Sequence, residues 1–172
     1  MIHDDLKMKG RLTVLLTAPD GTVKQKEEID NLVVTAGKNF VASRMAGTSA
    51  SVMSHMAIGT SSTAAVVGDT TLGSEAARVA LTSTTASGND VAYVATFPAG
   101  TPSSATSVVE AGILNASSGG TLLCLTKFSV ITKGTQDSFF FFNDTATSEI
   151  YTGEDTLSYT TLFRSRHCRK SR

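Results

Sequence analysis

The side chains that could carry out chemistry are few, and each has an ordinary structural explanation beside the chemical one. Residues 59–63 (Gly-Thr-Ser-Ser-Thr) are rich in hydroxyl groups, the type of side chain that serves as a nucleophile or lines a phosphate-binding loop. The segment matches neither Gly-x-Ser-x-Gly nor Gly-x-x-x-x-Gly-Lys-Ser/Thr. We therefore interpret residues 60–68 as a flexible surface loop.

One histidine and one cysteine lie inside apolar segments. His55 is surrounded by Met, Ala and Ile, which favours a hydrogen-bonded core or subunit-contact histidine over a catalytic base. Cys124 alternates with apolar residues and is expected to be a small buried side chain. A lone cysteine with two histidines in residues 1–138 argues against a disulfide or metal framework.

Three charged residues complete the set of candidates. Glu75 and Arg78 are three apart, so on a helical turn they would form a local ion pair of about 0.2–0.5 kcal/mol. Glu110 lies within an apolar strand pattern, where a buried carboxylate needs a partner, and Arg78 and Arg44 are the candidates. Since no Ser/His/Asp set, carboxylate pair or metal-ligand spacing rises above chance, we predict no catalytic residue, no cofactor and no metal site.

The composition limits the class of protein. The 172 residues carry 15 Lys and Arg against 15 Asp and Glu, which argues against nucleic-acid binding through a general basic field. With 41% apolar and only 17% charged residues, wholesale disorder is not expected. The acidic start has no apolar signal region, and no apolar run approaches the length of a membrane span. We predict a small globular domain with no nucleic-acid or membrane partner.

The elements that would position these residues are mostly strands. The fold class is mainly β, an antiparallel β-sandwich or barrel-like domain with one helix at residues 36–46, for which Thr35 is the expected N-cap. A Pro-Asp-Gly turn at residues 18–21 joins the first two strands. A helical turn is expected at residues 69–77. Strands are expected at residues 7–17, 23–29, 53–59, 78–85, 91–97, 108–115 and 121–131.

Alternation within two of these strands predicts which side chains face the core. In the strand 91–97 the inward face comprises Val91, Tyr93, Ala95 and Phe97. In the strand 121–131 it comprises Leu122, Cys124, Thr126, Phe128 and Val130. The turn at residues 133–138 should introduce one more strand.

The composition changes abruptly at Phe139, where a run of four phenylalanines begins and the chain goes on to a basic end. Taken as structure, the run predicts a buried strand and the end a solvated or phosphate-binding tail. Residues 139–151 instead resemble the translation of a sequencing-library adapter behind a poly-T run. One common adapter strand encodes Asn-Asp-Thr-Ala-Thr-Thr-Glu-Ile-Tyr and, further on, Tyr-Thr-Thr-Leu-Phe-Arg-Ser. Residues 143–151 differ from the first only at Ser148, and residues 159–165 match the second throughout.

The adapter resemblance implies that residues 139–172 are a non-native tail. We then expect residues 1–30 to form an N-terminal hairpin and residues 31–138 to form the main β-domain, truncated before its last strand. A domain that lacks a strand should fold poorly and aggregate through its unpaired edge.

Three segments in residues 31–138 resemble a second known pattern. They are residues 53–59 (Met-Ser-His-Met-Ala-Ile-Gly) after a helix, then Thr70-x-Leu72-x-x-Glu75-x-x-Arg78, then residues 110–115 (Glu-Ala-Gly-Ile-Leu-Asn) before a small turn and a strand. In this order they resemble the N-terminal domain of bacteriophage tail-fibre proteins, which attaches fibres to the baseplate, and short phage virion proteins made of that module. The resemblance implies assembly surfaces, so His55, Glu75, Arg78 and Glu110 become structural or subunit-contact candidates.

Two classes of function follow. The first is a non-enzymatic virion structural protein that contacts other phage virion proteins and forms a homo-oligomer, assembled in the host cytoplasm. Its place is the tail or baseplate, or alternatively the head surface as a decoration protein, because no fibre shaft is present and the N-terminal hairpin is not part of the fibre pattern. The second is a small carbohydrate-binding module or enzyme that uses the loops 60–68 and 98–106. The scarcity of aromatic platforms argues against it.

Overall fold

The computed structural model describes residues 8–48 and 51–147 and forms nine strands and one helix over these residues. The elements in chain order are β1 (Met8–Thr17), β2 (Val23–Val33), α1 (Thr35–Met45), β3 (His55–Gly59), β4 (Glu75–Ala80), β5 (Ser83–Ser87), β6 (Asp90–Phe97), β7 (Thr106–Leu114), β8 (Leu122–Lys133) and β9 (Ser138–Thr147). The fold class is therefore mainly β with a single helix over the described ranges, as the sequence predicts.

The strands form one antiparallel sheet that curls into a half-barrel. Their order across the sheet is β4-β3-β7-β8-β2-β1-β9-β6-β5. Strands β2 and β8 join the two halves of the sheet through only two residue pairs, Leu32 with Leu125 and Val33 with Cys124. The edge strands β4 and β5 are consecutive in the chain, and residues 81–82 alone join them.

Side chains from both halves of the sheet meet in one apolar core. Strand β1 contributes Leu12, Val14 and Leu16, which alternate along the strand as a half-buried strand requires. The opposite half contributes Met56 and Ile58 from β3 to the same cluster. Because one cluster links β1, β3 and the other core strands, the two halves are packed on each other face to face.

The expected inward face of β6 is confirmed. Tyr93, Ala95 and Phe97 are buried, and Val91 packs against the same cluster from a partly buried position. The expected face of β8 is correct only in its middle, where Cys124 belongs to the core cluster and Phe128 packs against it. Leu122 lies in a second, smaller apolar cluster, and Val130 is 61% exposed while Ile131 is buried instead. The cause is an irregularity in the pairing with β7. Val108 and Glu110 of β7 are two residues apart, whereas their partners on β8, at positions 131 and 127, are four residues apart. Beyond this irregularity the inward positions of β8 are odd-numbered, since Ile131 belongs to the core cluster.

The structure places a strand where the sequence predicts that the domain is cut. Strand β9 pairs with β1 on one side and β6 on the other, so no edge is left open at this position. Phe139 and Phe141 are fully buried, whereas Phe140 and Phe142 are 40% and 42% exposed. The buried-strand interpretation of this run therefore describes the structure of this chain, and the truncation of the native domain after residue 138 stays a prediction. The coding origin of the run stays a prediction, and the second adapter match and the basic end lie outside the described residues.

The helix differs in detail from its prediction. Its N-cap is Val34, with no side-chain cap, and Thr35 is the first helical residue. The end is as expected, because Gly47 has a φ of 78° and donates to Arg44 while Thr48 donates to Ser43, a glycine-terminated helix end. No helix within residues 8–48 and 51–147 is long and apolar enough to cross a membrane.

Residues 60–74 lie over the outer face of β3, β7 and β8 in an irregular path. The predicted helical turn at residues 69–77 is absent, and the predicted strand 78–85 is divided into β4 and β5 at opposite edges of the sheet. Leu72 packs with Leu114, Leu122 and Leu125 in a second, smaller apolar cluster on this outer face. The loop thus covers apolar surface that the sheet would otherwise expose.

Candidate functional site

A buried carboxylate is the centre of the polar structure in this half of the sheet. Glu110 on β7 has no solvent exposure, and Lys127, its pairing partner on β8, donates to its Oε2. The backbone N–H groups of Gly73 and Ser74 donate to the same carboxylate at 3.1 and 2.8 Å. A third backbone N–H, from Ser61, lies 3.3 Å from Oε1. The expectation that Arg78 or Arg44 is the partner of Glu110 is wrong, because the register of β7 and β8 places Lys127 directly opposite it.

The ion pair fastens two loop segments to the sheet. Lys127 Nζ also donates to the carbonyl oxygen of Ser61 at 2.8 Å, so Ser61 is bonded through both its N–H and its C=O groups. Burial opposes ionisation of Glu110, but the hydrogen bonds from Lys127, Ser74 and Gly73 outweigh it and lower the pKa of this carboxyl from its usual 4.5. The carboxylate is therefore charged at neutral pH, and its hydrogen bonds hold residues 60–74 against the outer face of the sheet.

One row of residues crosses four strands at this level. Glu75, Gly59, Glu110 and Lys127 are paired in turn from β4 to β8. A Cβ atom at Gly59 would overlap the carboxylate of Glu110 and the carbonyl oxygen of Ser74. Glycine therefore makes room for the buried carboxylate, and we call these four residues the cross-strand row.

Glu75 and Arg78 form the ion pair that their spacing predicts, on a strand rather than a helix. Arg78 donates to both oxygens of Glu75, from Nε at 2.9 Å and from Nη2 at 2.6 Å. Residues three apart in a regular strand face opposite sides, but in this strand Gly59 and Ile58 lie opposite Glu75 and Ala77, so Ala76 is an extra residue. This bulge brings the two charged side chains to one side.

Arg78 also closes the turn between β7 and β8. Its Nη1 donates to the carbonyl oxygens of Ala116 and Gly119 at 2.8 and 2.9 Å. Asn115, at the end of the third resembling segment, accepts the N–H of Thr121 at 2.6 Å across the same turn. Arg78 is thus a structural residue that ties the edge strand β4 to this turn.

His55 lies at the opposite end of β3 from Gly59. It is partly buried, it pairs in the sheet with Ala80 and Leu114, and its Nδ1 is 2.8 Å from the hydroxyl oxygen of Ser54. The structure therefore brings Glu75 and Glu110 into one row, links Arg78 to that row through Glu75, and leaves His55 apart from them.

A second polar cluster has no counterpart among the residues that the sequence singles out. Lys133 at the end of β8 is 1% exposed and donates to the carbonyl oxygens of Pro98 and Asp137 at 3.0 and 2.6 Å. Lys24 donates to the Asp137 carboxylate at 2.9 and 3.0 Å, and this bond is the main reason that the pKa of Asp137 is lowered. Burial lowers the pKa of the Lys133 ammonium. The cluster joins the turn before β9 to β2 and to the end of β6.

A shallow groove of about 300 Å³ lies between residues 61–73 and strand β8. Hydroxyl and charged side chains of Ser61, Thr63, Thr70, Asp69 and Lys127 are among its lining. The two loops expected to form a ligand site do not form this groove together, because its lining residues include none from residues 98–106. Over the described parts of the chain, no three His, Cys, Asp or Glu side chains converge as metal ligands would.

Cys124 is buried as predicted, and burial raises the pKa of its thiol to about 12. The thiol is therefore un-ionised at neutral pH and acts as a small apolar group in the core. In comparisons with protein-family models, curated proteins and solved structures, no match to this chain was found.

Proposed function

We propose that this chain is a non-enzymatic structural protein of a bacteriophage virion, located in the tail or baseplate, that acts through contacts with its own copies and with other virion proteins. The observation that supports the proposal is the convergence of the three segments that resemble the phage attachment domain. They lie far apart in the chain, and in the structure they form one unit made of β3, β4, β7, β8 and the loop over them.

The segments depend on one another through direct contacts. Glu110 of the third segment accepts hydrogen bonds from Gly73 and Ser74 of the second. Gly59 of the first segment lies between Glu75 and Glu110 in the cross-strand row. A Cβ atom at Gly112 of the third would meet Leu72 of the second at 2.9 Å. Segments that hold each other in place in this way form a rigid module, and a rigid module is what the resemblance implies.

The chemistry of the charged groups supports the same proposal. Glu110, Arg78 and Lys133 all bond to main-chain groups of neighbouring loops. Charges used in this way give a rigid surface, and rigid surfaces repeated on a symmetric particle gain avidity from weak single contacts. Head decoration is the alternative location, since a compact module of this kind suits a capsid surface as well.

Mass spectrometry of purified virus particles tests the proposal. Trypsin should release the peptide Val79–Lys127 from nuclease-treated, density-banded particles of the source material, at a higher level than from the cellular fraction. Its presence in the cellular fraction alone would overturn the proposal. Gold-labelled antibodies against the folded protein would then place it on tails or on heads in electron micrographs.

The same digest tests the adapter prediction separately. The tryptic peptide that begins at Gly134 runs to Arg164 in this sequence. If that peptide is found with the run of four phenylalanines at residues 139–142, the run is translated and the adapter interpretation fails. If Gly134 continues into a different sequence, residues 139–172 are not part of the native protein.

The groove favours a second candidate function, the binding of a small polar ligand such as a sugar. Its hydroxyl and ammonium groups are donors and acceptors suited to sugar hydroxyls. Calorimetric titration with host-surface oligosaccharides should give saturable heats that Thr70→Val reduces and the exposed loop control Ser104→Ala does not. No heat with any oligosaccharide would remove this candidate.

A further inference from the structure

The two edges of the sheet differ in how they are protected against pairing with another strand. The edge strand β4 carries the Glu75–Arg78 ion pair and a bulge at Ala76, both of which hinder strand addition. The edge strand β5 has the sequence Ser-Thr-Thr-Ala-Ser, without a charge or a proline, and pairs with β6 in unbroken register. All five residues of β5 are exposed. One edge is therefore blocked and the other is available.

We propose that β5 is a self-association surface, on which β5 of a second copy of this chain pairs antiparallel about a two-fold axis at Thr85. This inference rests on the proposed structural function and names the contact surface that the homo-oligomer would use. A second copy fits because the strand is self-complementary. Around an axis at Thr85, Ser83 faces Ser87 and Thr84 faces Ala86, so that small polar residues meet small residues.

The charges next to β5 are compatible with this pairing. Asp90 is the one charged residue between Arg78 and Phe97, and it begins β6, where it pairs with Ser87, so it lies beside β5 and not in the paired strand. No like charges are brought together, and a neutral contact of this kind resembles an ordinary internal strand pair.

The association closes at two copies. A two-fold contact uses the same surface on both partners, so pairing of β5 consumes both free edges. The outer edges of the joined sheet are then the two β4 strands, whose bulge and charges prevent further growth. The paired strands are five residues long, so each contact is weak and would be reinforced by the other contacts of an assembled particle.

Charge substitution at Thr85 tests the axis directly. In Thr85→Lys the two new ammonium groups face each other, so we expect the dissociation constant of the dimer in sedimentation velocity to rise by at least about tenfold. Thr85→Glu should have the same effect. A mixture of the two variants should restore association, because opposite charges then face each other. Thr132→Lys, at an exposed threonine of the interior strand β8, is the matched control and should leave association unchanged.

Cross-linking gives a second measurement that does not depend on charge. Residues facing each other in an antiparallel pair have Cα atoms about 4.5–5.5 Å apart, which is within the range of a disulfide. With Cys168 replaced by serine, Thr85→Cys should form a covalent dimer on mild oxidation and Thr132→Cys should not. A full chain that stays monomeric, or a dimer that both Thr85→Lys and Thr85→Glu leave intact, would overturn the proposal. Neither result bears on whether the protein is found in particles, which the mass spectrometry decides.

Discussion

A carboxylate without solvent exposure stays ionised only if the chain supplies hydrogen bonds and a counter-charge in place of hydration. Glu110 accepts hydrogen bonds from the Lys127 ammonium and from three backbone N–H groups. Three of these four donors belong to the loop 60–74, so the energy that keeps the carboxylate charged is also the energy that holds the loop. At the scale of single residues, the site is a clamp for residues 60–74.

Removal of the cation from this pair should be costly. Lys127→Met leaves a buried carboxylate without a counter-charge, and we expect the free energy of unfolding to fall by about 3–5 kcal/mol in urea titrations. Lys26→Met is the matched control, because Lys26 pairs with Glu28 at the surface and an exposed pair contributes about 0–1 kcal/mol. Equal losses of unfolding free energy in the two variants would contradict the role of the Glu110–Lys127 pair in holding the loop.

The same groups make stability depend on pH in the acid range. The pKa of Glu110 and that of Asp137 lie below their usual values of 4.5 and 3.8, so the unfolded chain takes up protons before the folded chain does. The stabilisation is complete above pH about 4.5 and is lost as the pH falls through the folded pKa values. In Glu110→Gln the urea midpoint should be lower at neutral pH and should approach that of the unmodified protein in acid. Two parallel pH curves would show that Glu110 contributes nothing to this dependence.

At the scale of elements, β9 shows how an apolar run becomes a central strand. Consecutive side chains of a strand point to opposite faces, so a run of four phenylalanines places two in the core in either register. Phe141 meets Phe97 edge-on with ring centroids 5.5 Å apart, and Phe139 lies 5.4 Å from Phe141. The outward Phe140 lies opposite Leu15 and Thr96 on the neighbouring strands.

A pair of neighbouring substitutions tests the position of β9. Phe141→Ala removes a fully buried ring and should lower the free energy of unfolding by about 3–5 kcal/mol. Phe140→Ala removes a half-exposed ring and should cost much less. If neither variant changes the thermal midpoint, residues 138–147 are not part of the folded sheet, and the predicted boundary at Ser138 is correct.

Helix α1 depends on one glycine for its position on the sheet. Gly37 is the buried residue of the helix, and a Cβ atom there would overlap the carbonyl oxygen of Leu123 on β8. Alanine has the higher helix propensity by about 1 kcal/mol, but the overlap is with backbone that cannot move aside. We expect Gly37→Ala to lower the thermal midpoint and Gly68→Ala, which has open space around its Cα, to leave it nearly unchanged. A stabilised Gly37→Ala protein would contradict this packing.

Local patterns predict the parts of this fold that depend on neighbouring residues. The hairpin β1–β2, the helix and the inward face of β6 follow from turn residues, helix-end glycine and alternation. The partner of Glu110 could not be predicted, because the bulge between β7 and β8 decides which residue lies opposite it. The buried Lys133 is not predicted either, although its alternation with the buried Ile131 indicates an inward direction. The division of residues 78–85 between two edges follows from the curvature of the whole sheet, which no local pattern encodes.

At the scale of the whole molecule, the two halves of the sheet share a core but few backbone bonds. Only Leu32 and Val33 connect β2 to β8, while Val14, Phe97 and Ile113 from different halves belong to one apolar cluster. Side-chain packing therefore couples the halves more than the sheet hydrogen bonds do.

This coupling predicts a single unfolding transition. Denaturant curves followed by far-ultraviolet circular dichroism and by tyrosine fluorescence should coincide, because neither half can lose its partner and keep its core covered. The chain contains no tryptophan, so tyrosine emission is the available tertiary signal. Two separated transitions would show that the halves fold independently.

The two-residue connection between β4 and β5 limits how widely the curled sheet can open. Since Ala80 and Ser83 are three Cα–Cα steps apart, the two outer strands cannot separate by more than about 11 Å at that end. The connection therefore limits how far the sheet can unroll at this end. A longer connection at residues 81–82 would let the half-barrel open more widely at this end without any change in the core.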